Sequence, residues 1–158
     1  MVKNISGGFH EMGWNEFYDL LKIGDQIPQI EKDAVMEGYK TPEVFGIELL
    51  ADSEKAIEKA GELGVDSIHT SKVFGGVFML QFISEMITNW LPSLRGWVEG
   101  GKLSAKFIKL VKFNERIICR GRIKDKIENG DGRYLVCDVW VENASGDKVV
   151  IGEAHIAF

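Results

Sequence analysis

The sequence predicts an α+β domain in which one strongly apolar helix is held by a long antiparallel sheet. Three observations carry that expectation. Residues 76–91 are apolar except for one narrow polar stripe, the chain changes to a two-residue period after position 102, and two Asn/Gly turns divide the C-terminal half into a meander. A run of helices followed by a run of strands argues for α+β rather than a parallel sheet. The 158 residues suffice for one domain, and 45% apolar with 27% charged residues is a globular composition that excludes a disordered chain.

The elements follow in order. Residues 14–22 mix aromatic and acidic residues and read as a short helix, and Gly24-Asp25 marks a turn before Ile27. Residues 40–50 are ambiguous, with Thr41-Pro42 favouring a helix start. Residues 53–63 read as a surface helix. Asp52 or Ser53 can cap it, Gly64 can end it, and its apolar face is thin (Ala56, Ala60, Leu63).

The helix over 76–91 is the most informative element. Its polar residues Gln81, Ser84, Glu85, Thr88 and Asn89 share one stripe, because offsets of three, four, seven and eight fall on one side of a helix. The rest of its circumference is large and apolar, so a sheet has to wrap it. Pro92 and the Gly-rich stretch Gly96 to Gly101 end it. Strands are expected over 102–109, 116–127, 133–142 and 147–158, with tight turns at Asn129-Gly130-Asp131-Gly132 and Asn143-Ala144-Ser145-Gly146.

These segments, taken together, are similar to a known family. The carrying residues are the Gly24-Asp25 turn, the helix ending in Thr88-Asn89-Trp90-Leu91, the run from Phe107 to Val111, and Asn114-Glu115 where the family has Gly-Asp. To these are added Cys119 to Ile123, Val141 to Gly146 and Val150 to Ala154. The set resembles the MaoC-like dehydratases, the hotdog-fold (R)-specific enoyl-CoA hydratases. The match is continuous from Gly75 to Phe158 and looser from Gly24 to Gly64, so residues 1–158 read as a single MaoC-like domain with 1–23 as an N-terminal extension.

The resemblance implies a reaction and a site. The family hydrates an enoyl thioester of coenzyme A or acyl carrier protein. An Asp, and a His five residues later, position and deprotonate the water. A His-Gly pair opens the wrapped helix, whose N–H groups polarise the thioester carbonyl. Carried over, Gly76 falls at the helix-opening Gly, Gly75 stands where the family has His, and Ser84 matches a serine on the helix. Asp52 with Ala56 matches the continuation of the water-activating motif. That sets Phe45 at the catalytic Asp and Leu50 at the catalytic His, and neither side chain does acid–base chemistry.

The resemblance therefore leaves several readings open. In one the base has moved to His69 or Asp66, just before the helix; the plain alternative is that His69 sits in a turn. In another the chain is a catalytically silent subunit beside a second hotdog chain. The third is a hotdog acyl-CoA thioesterase using Glu85, whose plainer uses are solvation or a dimer contact. Gly75, Gly76, Ser84 and Glu85 are the expected substrate-binding residues, with packing as the alternative for Ser84. His10 and His155 are expected to be structural. The family pairs subunits edge to edge, which implies a homodimer or a heteromer.

Charge and cysteine usage bound the partners. The net charge is −5, yet residues 102–126 hold nine basic residues against Glu115 and Asp125, a local +7 that leaves −12 for the rest. Strand alternation sets Arg120, Arg122 and Lys124 in one row. This is a solvated outer face, or one that attracts a phosphate-bearing thioester carrier. An acidic chain whose basic strip lacks interleaved aromatics is a poor nucleic-acid binder. No metal or cofactor is expected, because Cys119 and Cys137 form no zinc spacing and are too few for a disulfide scaffold. The first residues lack the apolar core of a signal peptide, and Val73 to Leu91 is too often interrupted to span a bilayer. A cytoplasmic protein without membrane contact is the expectation.

Overall fold

A five-stranded antiparallel sheet closes around one face of a long helix. The structure is a computed structural model and describes residues 13–34, 73–74, 76–112 and 115–158. The helices are α1 (Trp14–Leu20), α2 (Gly76–Trp90) and α3 (Arg95–Gly100). The strands are β1 (Gln26–Asp33), β2 (Val73–Phe74), β3 (Lys102–Phe107), β4 (Val111–Lys112), β5 (Arg116–Asn129), β6 (Gly132–Asn143) and β7 (Lys148–Ala157). The sheet order is β1-β5-β6-β7-β3, and β2 pairs with β4 in a separate two-stranded ladder. The helix expected over 53–63 and the ambiguous segment 40–50 lie outside the described residues.

The meander follows from alternation. Ile117, Cys119, Gly121 and Ile123 point inward from β5, while Arg120, Arg122 and Lys124 point outward. β6 buries Leu135, Cys137, Val139 and Val141 on the same inner face, and β7 buries Ala154 and Ile156 there. The second hairpin turn closes at Gly146, whose φ of 79° is left-handed, and Asn143 Oδ1 accepts the N–H groups of Ser145 and Asp147. Against the inner face α2 packs Met79, Ile83, Met86, Ile87 and Trp90. Burying each such side chain contributes ~1.5–3 kcal/mol.

Several elements differ from the sequence reading, among them the two-residue strands β2 and β4, which were not expected. The strand expected over 102–109 ends at Phe107, because Ile108 and Lys109 both direct their N–H groups at Val149 O and the chain turns away. The Gly-rich stretch that was expected to end α2 instead forms α3, which packs on β7. A full strand, β1, follows the Gly24-Asp25 turn where no strand was expected.

The N-terminal helix belongs to the core. Phe17 is fully buried and meets Trp90 edge-on at 5.4 Å, and Trp14 stacks on Phe158 at 4.2 Å. A register shift between Ile123 and Asp125 turns Lys126 inward opposite Leu135. Its ammonium donates to Tyr18 O and Leu21 O at 2.6 and 2.8 Å and lies 4.3 Å from the Tyr18 ring centroid. A cation is thus seated on the last carbonyls of α1, where the helix dipole favours it. Lys126→Met keeps the apolar stem and removes the donors, and is expected to cost about 2 kcal/mol. Urea unfolding measures this, and an unchanged midpoint would deny Lys126 the capping role.

Candidate functional site

The candidate site expected from the sequence centres on the start and the polar stripe of α2. Val73 and Phe74 pair with Lys112 and Val111, a short ladder that fixes how the chain enters the helix at Gly76. The first turn of α2 holds no acidic side chain, and the N–H groups of a helix's first turn have no acceptor within the helix itself. Gly75, Asp66 and His69, together with Phe45 and Leu50, lie outside the described residues.

The stripe expected from spacing is present. Gln81 and Asn89 are exposed, and Ser84, Glu85 and Thr88 are half-buried. Two of these residues have partners that the local sequence pattern does not reveal. Glu85 forms an ion pair with Lys32 at 2.6 Å, and the Lys32 ammonium also lies 5.8 Å from the Phe82 ring centroid. Ser84 Oγ accepts the indole N–H of Trp97 at 3.0 Å. The stripe therefore ties α2 to β1 on one side and to α3 on the other. Thr88 donates back to Glu85 O at 2.9 Å within the helix.

Behind the stripe sits Cys119. Burial pushes its thiol up to about 12, the nearby Glu85 charge adds to the rise, and Lys32 opposes it. Burial likewise pushes the Cys137 thiol up to about 12, with Asp138 adding. A thiol held protonated in this way is a packing group rather than a nucleophile at neutral pH.

The outer face of the sheet carries the basic row, and here the charge argument changes. Arg120 pairs with Glu142 at 2.9 Å, Arg122 with Asp138 at 2.9 Å, and Lys124 with Glu153. The Trp140 N–H and the Arg120 guanidinium hold the Glu142 carboxyl below its usual range. Lys124 and then His155 do the same for Glu153. The row that could have drawn in a phosphorylated carrier is thus matched by carboxylates from β6 and β7, and the solvated outer face is the better description. His155 also faces outward, bonded to Glu153 at 2.7 Å, while its neighbours Ala154 and Ile156 are buried on the α2 side.

Among the described residues, no group of His, Cys, Asp and Glu is arranged to hold a metal ion. None of the helices they form is long and apolar enough to cross a membrane.

A helix held on the inner face of a five-stranded antiparallel sheet in this order is the hotdog fold. Solved structures agree. The chain is similar to an unliganded R-hydratase of Pseudomonas aeruginosa (19% identity, 89% of this chain and 83% of that one, TM-score 0.59). It is also similar to a Thermus thermophilus member of the thioesterase superfamily (14% identity, 86% and 82%, TM-score 0.52). A third is a Staphylococcus aureus protein in complex with CoA (7% identity, 87% and 72%, TM-score 0.50). No protein-family model matches the sequence, and no curated protein matches it. At these identities the likeness establishes the fold.

Proposed function

We propose that this chain binds an acyl thioester, carried by coenzyme A or acyl carrier protein, with the thioester carbonyl at the start of α2. It is read as a hydratase-type hotdog protein that does not itself supply the Asp/His pair. The observation that carries this reading is the opening of α2 at Gly76 without an acidic residue in its first turn. First-turn N–H groups, which have no acceptor within the helix, at the positive end of a 15-residue helix suit a carbonyl oxygen that gathers negative charge. The fold shared with an R-hydratase and with a CoA-bound hotdog protein supports the same reading.

Chemistry is a separate matter from binding. Phe45 and Leu50 stand where the resemblance sets the water-activating pair, so the chain alone is expected to bind an enoyl thioester without hydrating it. The thioesterase alternative is weakened by the Lys32–Glu85 pair, which engages the carboxylate that would have to attack or activate water. Three assays with crotonyl-CoA separate the versions. Binding without turnover supports the silent chain. Hydration lost on His69→Ala or Asp66→Ala would replace it with an enzyme, and CoA release lost on Glu85→Gln would replace it with a thioesterase.

Gly76→Pro tests the helix start directly. Proline is tolerated at the first helical position and deletes one N–H donor. Helix content is expected to stay constant by circular dichroism while acyl-thioester affinity falls by up to about tenfold, the worth of one hydrogen bond. Unchanged affinity would remove the helix start from the binding site.

A further inference from the structure

The compensated basic row does not account for the whole outer face of the sheet. Strand register sets two parallel lines of outward side chains across β6, β7 and β3. Trp140, Ile151 and Lys106 form one line, and Asp138, Glu153 and Ser104 form the other. Between the lines runs a groove of about 560 Å³, floored by the backbone of Val139, Gly152 and Ala105. That volume falls within the range of small-molecule sites. Gly152 lets β3 close on β7 here, since a Cβ would lie 2.5 Å from Ser104 O.

The groove has spent its acceptors and kept its donors. Arg122 engages Asp138, and Lys124 and His155 engage Glu153. Among the described residues, the Ser104 hydroxyl and the Lys106 ammonium have no hydrogen-bond or ion-pair partner. The Lys148 ammonium rests 4.8 Å from the Trp140 ring centroid, with no carboxylate of the described residues in ion-pair range. All three side chains are exposed. Half-buried Trp140 and Ile151, 39% exposed, supply an apolar wall between the two lysines. Free donors beside such a wall complement a ligand that brings acceptors, negative charge and a ring.

We propose that this groove binds a small molecule built of a planar ring and an anionic group, phosphate or carboxylate. The ring lies over Ile151 against Trp140. The anion takes the Ser104 hydroxyl and the Lys106 ammonium, which project from the same face of β3 two residues apart. Lys148 adds a second positive charge at the Trp140 end. Glu153 stands opposite Ser104, and its negative charge is offset by Lys124. A nucleoside phosphate and an aromatic carboxylate share this chemistry. Because α2 packs against the other face of the sheet, the inference does not rest on the acyl-thioester reading.

Calorimetric titration of the full chain with adenosine monophosphate and with indole-3-acetate distinguishes the two sources, and binding of either supports the site and names its class. The ring alone (adenosine, indole) and the anion alone (inorganic phosphate, acetate) are each expected to bind about tenfold more weakly or worse. Lys106→Met and Trp140→Ala are each expected to lower affinity about tenfold. Lys22→Met makes the same charge change at an exposed lysine outside the groove and is expected to leave affinity unchanged. Binding of neither ligand, wild-type affinity in Lys106→Met or in a folded Trp140→Ala, or an equal loss in Lys22→Met each overturns the proposal. If Trp140→Ala fails to fold, Lys106→Met decides. Coenzyme A also joins a ring to phosphate, so the helix-start reading is tested apart from the groove with the crotonyl thioester of N-acetylcysteamine. No binding of that thioester sinks the functional reading and leaves the groove standing, and no binding of the ring-bearing anions does the reverse.

Discussion

Gly96→Ala is expected to lower stability by about 3 kcal/mol, a large effect for one methyl group. A Cβ at Gly96 would lie 1.8 Å from the carbonyl oxygen of Ala157 and 2.6 Å from the Trp14 ring. Ala157 O is backbone at the end of β7 and cannot swing aside, so α3 has to lift from the sheet. Lifting α3 pulls Trp97 from Ser84 (3.0 Å) and disturbs the Trp14–Phe158 stack (4.2 Å). The intrinsic preference of a helix for Ala over Gly, about 1 kcal/mol, works in the opposite direction and is outweighed. Urea unfolding followed by tryptophan fluorescence measures the loss. Val98→Ala, at the most exposed apolar position of the same helix, serves as the control and is expected to change the midpoint little. An unchanged midpoint in Gly96→Ala would mean that α3 does not approach β7 this closely.

The same glycine explains what the sequence concealed. The strands β5, β6 and β7 were legible because their inward residues alternate and Asn/Gly turns punctuate them. α3 was not legible because Gly96 and Gly100 argue locally against a helix. Their reason for being glycine is a contact with Ala157, far away in sequence. β1 was hidden by Pro28, by its charges and by an irregular register, which together break the two-residue pattern. At the site, spacing alone placed Ser84 and Glu85 on one stripe. Their partners were not legible, since Lys32 is 53 residues from Glu85 and Trp97 is 13 from Ser84. The basic row was likewise visible as a row, but its compensation was not. Asp138, Glu142 and Glu153 come from two other strands whose register the sequence does not declare.

Alkaline pH is expected to destabilise the fold chiefly through its two buried thiols. Cys119 and Cys137 ionise near 9 in an unfolded chain and at about 12 in the folded one, because burial penalises the thiolate. Below pH 9 both states hold the proton and the contribution to stability is complete. Between pH 9 and about 12 the unfolded chain releases two protons that the folded chain retains, so stability falls as pH rises through that window. The loss is on the order of 1 kcal/mol per pH unit for each thiol. Tyr18 adds to it with the same sign, since burial raises its phenol too. Lys124 also adds: its bond to Glu153 favours the charged form in the fold, and that advantage is lost as pH climbs through its raised value. On the acid side the signs reverse. The lowered carboxyls of Glu142 and Glu153 contribute above about 4.5 and lose that contribution as pH falls through their folded values. Urea midpoints at pH 7, pH 9 and about pH 11 are expected to drop steeply over the last interval in the wild type. In Cys119→Ala/Cys137→Ala the starting stability is lower, because two packed side chains are lost, but the fall above pH 9 is shallower by the share of two protons. Parallel pH profiles for the two proteins would show that the thiols are not shielded from water and would place the alkaline sensitivity on Tyr18 and Lys124 instead.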